Sequence, residues 1–187
     1  MIDPVLMRQA VFYLGLSELV EGRLAASPLY RYAVAGLDAS WRWVESHDVS
    51  ADALANLFTT ENGDGVAAGL AVETDRELTA AWGCSALAVA YTAFAAYSSE
   101  GKTRGQIRED IGLVADDANR LAFISYFRTL IPLEKVLERY DAGLDAAMAG
   151  EIKRSAVRDH VFAVLHTSAP DIPGWPAGLP RVNGKSE

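Results

Sequence analysis

Several short patterns in this 187-residue chain contain residue types that do chemistry, and in each the spacing fails the chemistry. Gly101-Lys102-Thr103 could end a phosphate-binding loop, in which backbone N–H groups cradle phosphates, the Lys neutralises them and the hydroxyl holds magnesium. That loop needs Gly where this chain has Ala96, and a strand before it where the composition reads as helix. Asn62-Gly63-Asp64-Gly65 has the look of a calcium loop, but aligning Gly65 with the required Gly puts Thr60 at the first ligand and Ala71 where a bidentate Glu belongs. Gly15-Leu16-Ser17-Glu18-Leu19 lacks the second Gly of a nucleophile elbow and has no strand-turn-helix setting. His160 and His166 are six residues apart, on different faces of a helix, and His47 is remote, so no metal cluster is expected. The single cysteine, Cys84, excludes an internal disulfide and reads as a small buried thiol. Asp116-Asp117 and Glu109-Asp110 read as helix caps or solvated surface. The expectation is a protein without catalytic residues, cofactor or metal.

What the residues do specify is a core. Leu78 to Ser99 runs for 22 residues without a charge. It is rich in Ala and uninterrupted by Pro, and helical spacing puts Leu78, Ala81, Ser85, Ala88, Thr92 and Ala95 on one face and Cys84, Leu87, Tyr91, Phe94 and Ser98 on another. A helix apolar nearly all round is the centre of a bundle or a membrane span. The stretch is long enough to span, but more than half of it is Ala, Thr, Ser and Gly, which suits close helix packing better than lipid. The fold expected is all-α: a single-domain multi-helix bundle around this buried central helix, followed by a Pro/Gly-rich C-terminal tail.

The flanking punctuation agrees with helices. Asp3-Pro4 and Ser27-Pro28 are start signals, a cap followed by Pro at the first helical position. The first helix should run to about Leu24. The second, with a stripe of Leu29, Ala33, Leu37, Ser40 and Val44 beside Tyr32 and Trp41, should run to about His47, with Asp38 and Arg42 paired four apart on its outer face. Ser50 caps a shorter helix, residues 61–65 form a turn, and Val66 to Val72 suits one or two helical turns. Thr74 or Asp75 starts the central helix, which Glu100-Gly101 ends. A short helix is expected around Gln106 to Ile111. Beyond it come a helix capped by Asp116 or Asp117 and burying Leu121, Ile124, Phe127 and Ile131, and one from Pro132 burying Leu133, Leu137, Tyr140, Leu144 and Met148. A last helix carries Val157, Val161, Val164 and Leu165. These elements make an all-helical domain over 1–166; residues 167–187, with Pro170, Pro173, Pro176 and Pro180, read as an extended or disordered tail in which Trp175 is the one large aromatic.

The net charge of −8 is uneven: up to Glu77 there are twelve acidic and five basic residues, and thereafter thirteen and twelve. An acidic N-terminal portion repels nucleic acid and attracts basic partners, although an ordinary solvated face would look the same. Asp3 and Pro4 interrupt the start, so no secretory signal is evident and the expected location is the cytoplasm.

One resemblance goes further. Trp82-Gly-Cys84-Ser-Ala-Leu-Ala-Val-Ala-Tyr91-Thr-Ala-Phe94-Ala-Ala-Tyr97 resembles the central signature of a family of small all-helical bacterial immunity proteins, the sixth catalogued in polymorphic toxin systems. Leu37-Asp38-Ala-Ser-Trp41-Arg-Trp43-Val44-Glu45 is similar to that family's upstream helix, and the likeness covers roughly residues 10 to 115. The resemblance implies a protein that neutralises a cognate toxin by stoichiometric occlusion, without catalysis. If the toxin is a basic nuclease domain, the acidic portion would suit it, with Asp38, Glu45, Asp48, Asp52, Glu61 and Asp64 as the expected contacts. The competing class is a ligand-binding or enzymatic helical domain with Trp82, Tyr91 and Tyr97 lining a pocket between helices.

Overall fold

The uncharged stretch lies inside a single helix, Arg76–Ser99, and the rest of the chain is laid around it. A computed structural model describes residues 3–113, 117–131 and 134–168, and among these described residues there is no strand. In chain order the helices are α1 (Pro4–Glu18), α2 (Tyr30–Ser46), α3 (Ala51–Phe58), α4 (Val66–Val72), α5 (Arg76–Ser99), α6 (Glu109–Gly112), α7 (Asp117–Leu130), α8 (Glu134–Ala147) and α9 (Arg154–Ser168). The fold is all-α, with one buried central helix.

Three of the expected start signals form as written. Asp3 Oδ1 accepts from the Val5 amide at 2.8 Å, Ser50 Oγ from Ala53 at 3.2 Å, and Asp75 Oδ1 from Glu77 and Leu78 at 2.9 and 3.0 Å. Each satisfies an amide that the first helical turn leaves without a partner. Ser27-Pro28 comes too early: α2 begins at Tyr30, and Ser27 Oγ accepts from the Leu29 amide within the turn that leads in. The first helix also stops short of Leu24, at Glu18. The chain then bends into a 3-10 turn over Glu21–Leu24, which lets Leu19, Val20 and Leu24 all reach the core and lets Arg23 pair with Glu77 at 2.7 Å.

The central helix, α5, packs against α1, α2, α3, α4 and α7. Its alanines are what permit so many neighbours, since small side chains let helix axes approach. Trp82 is 1% exposed and lies against Gly69 of α4, where a Cβ would come within 2.3 Å of the indole ring. By length and composition α5 could cross a membrane, but 78% of its most apolar window is buried inside the protein. The burial its composition demands is supplied by helices.

On α7 the expected stripe is turned. Leu121 is 63% exposed, while Phe123, Phe127, Leu130 and Ile131 are buried. Phe123, Phe127 and Leu130 are spaced as one helical face, and the larger aromatic displaces Leu121 from the packed side. Asp116, Pro132 and Leu133, assigned above to helix starts and a stripe, lie outside the described residues. On α8, Leu137, Tyr140 and Leu144 are buried as spaced, joined by Val136, and α9 buries Val157, Val161 and Leu165, with Val164 partly covered.

The last two helices form a hairpin whose main neighbour in the body is α1. Gly15 makes that approach possible, because a Cβ there would lie 2.0 Å from Tyr140 Oη. With the space open, the Tyr140 hydroxyl donates to the Val11 carbonyl at 3.1 Å, and Arg8 bridges to Asp141 and Asp145 at 2.8 and 2.6 Å. Helix α9 runs to Ser168, two residues past the end drawn for the helical domain at 166; residues 169–187, including Trp175, lie outside the described residues.

Candidate functional site

The six carboxylates expected to meet a partner all lie on the surface, and the structure sorts them by what they already hold. Asp38 and Glu45 project from α2 toward the start of α9. Asp38 Oδ1 accepts from Arg154 Nη1 at 2.5 Å, and Glu45 Oε1 from the Arg154 backbone amide at 2.7 Å. The i,i+4 pair expected between Asp38 and Arg42 does not form, because Arg154 takes Asp38 while Arg42 turns to Asp48 at 2.7 Å. The Arg42 guanidinium holds the Asp48 carboxyl below its ordinary pKa.

Asp52, in the first turn of α3, accepts from the Tyr97 hydroxyl at 2.6 Å. Burial, together with this bond, raises the Tyr97 pKa. Beside it the Ala51 amide donates to Glu100 Oε1 at 2.9 Å, so the start of α3 is fastened to the end of α5. The other end of α3 is fastened by Arg108, which donates to Asn56 Oδ1 at 3.0 Å and to the Thr59 carbonyl at 2.9 Å. Glu61 and Asp64 lie in the loop that follows. Its neck is closed by Thr60 N–H to the Asp64 carbonyl at 2.7 Å and by the Asp64 amide to Thr60 Oγ1 at 3.0 Å. Both carboxylates are exposed, and among the described residues neither enters an ion pair.

A charged cluster that the sequence reading did not single out joins α1, α2 and α9. Glu18, whose side chain is only 4% exposed, accepts from Trp41 Nε1 at 2.7 Å and Arg154 Nε at 2.8 Å, with Arg158 Nε at 3.8 Å. Burial works against the Arg154 charge, and Asp38 and Glu18 outweigh it, so its pKa lies above the ordinary value. One arginine thus gathers Glu18, Asp38 and Glu45. The only hint in the sequence is Glu18 itself, an acid among the apolar residues of the first helix; Arg154 is 136 positions away.

The aromatic residues of the competing reading are core side chains. Trp82 is covered by Gly69, Tyr97 is held by Asp52, and Tyr91 lies tilted against Tyr13 at 5.0 Å while its hydroxyl donates to Gln9. Cys84 is fully buried, and burial raises its pKa. Among the described residues no group of three or more His, Cys, Asp or Glu is placed to hold a metal.

The family model described as Immunity protein Imm6 matches residues 8–130. The chain belongs to this family. Its function as an Imm6 protein is immunity against a toxin, and its partner is the cognate toxin. The matched segment contains the central helix and all six candidate carboxylates, and it ends at the last residue of α7. Helices α8 and α9, and with them Arg154, lie beyond it. No curated protein and no solved structure matches the chain.

Proposed function

We propose that this protein neutralises its toxin in the cytoplasm of the producing cell by binding it one to one and covering its active region, without catalysis. The acidic N-terminal portion supplies the recognition, and a basic toxin such as a nuclease domain is the kind of partner that charge suits. The observation that carries this reading is the loop bearing Glu61 and Asp64. Its two carboxylates are exposed and uncommitted, on a backbone fastened at its neck and, through Arg108 and Asp52, to the central body. A fixed loop loses little conformational freedom on binding, so its charges act at low entropic cost.

Asp38, Glu45, Asp48 and Asp52 take part in a second way. Each already has an internal partner, so each adds to the field that steers a cation but exchanges a bond if it contacts one. Reversal of the loop charges separates these roles. Glu61→Lys with Asp64→Lys should slow association with the toxin at least tenfold and remove protection of cells expressing it, with melting unchanged. The same reversal at the exposed Glu138 and Asp159, outside the matched segment, should leave both nearly intact. Equal protection by the two double variants would refute recognition through the acidic loop.

A further inference from the structure

The loop that carries Glu61 and Asp64 adjoins a second exposed feature, at the short helix α6. Arg108 connects the two. Its Nη2 donates to the carbonyl of Thr59, next to the Thr60 that closes on Asp64, and its side chain lines an open groove of about 430 Å³ with Glu109, Asp110 and Leu113. Ile107 and Ile111 are buried, so α6 is anchored in the body, while Leu113, just after it, is 57% exposed. The Leu113 backbone is held in place: its carbonyl accepts from Asn119 Nδ2 of α7 at 2.6 Å. A leucine exposed by itself is ordinary. This one stands at a groove, on a backbone tied to α7 and beside uncommitted charge.

The charges of the groove divide as those of the loop do. Arg108 donates to the two Asp110 oxygens at 3.1 and 2.6 Å, to Asn56 Oδ1 at 3.0 Å and to the Thr59 carbonyl at 2.9 Å, so four of its five N–H groups are used inside the protein. Asp110 is neutralised in the same bidentate pair. Glu109 is exposed and, among the described residues, enters no ion pair. Together with Glu61 and Asp64 it makes three uncommitted carboxylates near one exposed leucine, and Arg108 between them is already paired. An apolar centre with a charged rim is how interfaces are built: the centre holds the partner, and the rim attracts and orients it.

We propose that Leu113 and the α6 groove, with Glu109, Glu61 and Asp64 around them, seat a basic segment of the toxin. One apolar side chain of that segment packs on Leu113 and enters the groove, and the lysines or arginines flanking it meet the carboxylates. The proposal rests on the reading of the acidic loop given above and extends the contact from the loop to α6. A segment with acidic flanks would face three unpaired carboxylates and be rejected. All of these residues lie within the segment that the family model matches.

Binding kinetics of the full chain with the purified cognate toxin test this, because an apolar anchor and a steering charge act on different rates. Leu113→Ala should speed dissociation about tenfold and leave the association rate and its salt dependence as they were. Leu113→Met, which keeps an apolar side chain of similar size, should restore most of the residence time. Glu109→Gln should slow association and flatten its dependence on salt. Leu121→Ala and Val72→Ala, at exposed apolar residues 63% and 69% open to solvent, should change neither rate. All of these variants should melt with the parent. Dissociation of Leu113→Ala at the parent's rate would overturn the proposal, as would an equal effect of Leu121→Ala or Val72→Ala. If the Glu61→Lys and Asp64→Lys reversal still slows association in that case, the reading of the acidic loop survives without the α6 groove. If the reversal has no effect, the loop reading fails and this proposal fails with it.

Discussion

Arg154 determines how the acidic surface of α2 is used in the free protein. It neutralises Asp38, bonds Glu45 and compensates a Glu18 carboxylate that would otherwise be charged, buried and short of partners. Arg154→Ala is expected to cost about 2 kcal/mol in urea unfolding, below the 3–5 kcal/mol usual for breaking a fully buried pair, because the arginine is itself partly solvated. Glu18→Gln in the Arg154→Ala background should recover part of that loss, since the amide removes the uncompensated charge and keeps an acceptor for Trp41. The alkaline limb of stability also belongs to single residues. Burial raises the pKa values of Cys84 and Tyr140, and burial with Asp52 raises that of Tyr97. A raised folded value means that stability is complete below the unfolded value and is lost above it, so the loss should begin near pH 8.5 for Cys84 and near pH 10 for the tyrosines. Unfolding free energies of Cys84→Ala should therefore be flatter than the parent's between about pH 8.5 and 10. Of these features the sequence showed the buried thiol, because it sits within an uncharged run. It did not show the Glu18–Arg154 pair, because no local spacing connects residues 136 positions apart.

Helices were legible where one local rule decides them. A side chain that caps, as Asp3, Ser50 and Asp75 do, acts within three residues of itself, and the spacing of Leu137, Tyr140 and Leu144 is a property of one helix. Leu121 and the end of the first helix were misread because packing against neighbours decides them: Phe123 occupies the buried side of α7, and the bend after Glu18 delivers Leu19, Val20 and Leu24 to the core. The central helix gives the sharpest stability test. Ala88 and Ala95 are buried, so Ala88→Glu or Ala95→Glu should each cost several kcal/mol by thermal or chemical melting, whereas Ala53→Glu on the exposed side of α3 should stay within about 0.5 kcal/mol. Melting of either core variant within a degree or two of the parent would contradict the packing described here.

For the molecule as a whole, the acidic imbalance read from composition corresponds to exposed carboxylates, but four of the six have internal partners that composition cannot reveal. Steering by the remaining field should appear in the association rate, which should fall as salt rises because exposed charges are screened over about 8 Å at physiological ionic strength, while the dissociation rate changes little. The hairpin of α8 and α9, beyond the family's matched segment, is built on α1 through Tyr140, Gly15 and Arg154. Gly15→Leu should consequently loosen the hairpin and lower stability by several kcal/mol, since the new side chain must displace Tyr140 from a packed site. Whether the molecule protects by occupying its toxin is decided by titrating the toxin's activity with the purified protein. Inhibition should fall linearly to completion at one equivalent, at once and independent of incubation time. Inhibition that is complete at a small fraction of an equivalent and deepens with time would mean turnover, and would contradict neutralisation by occlusion.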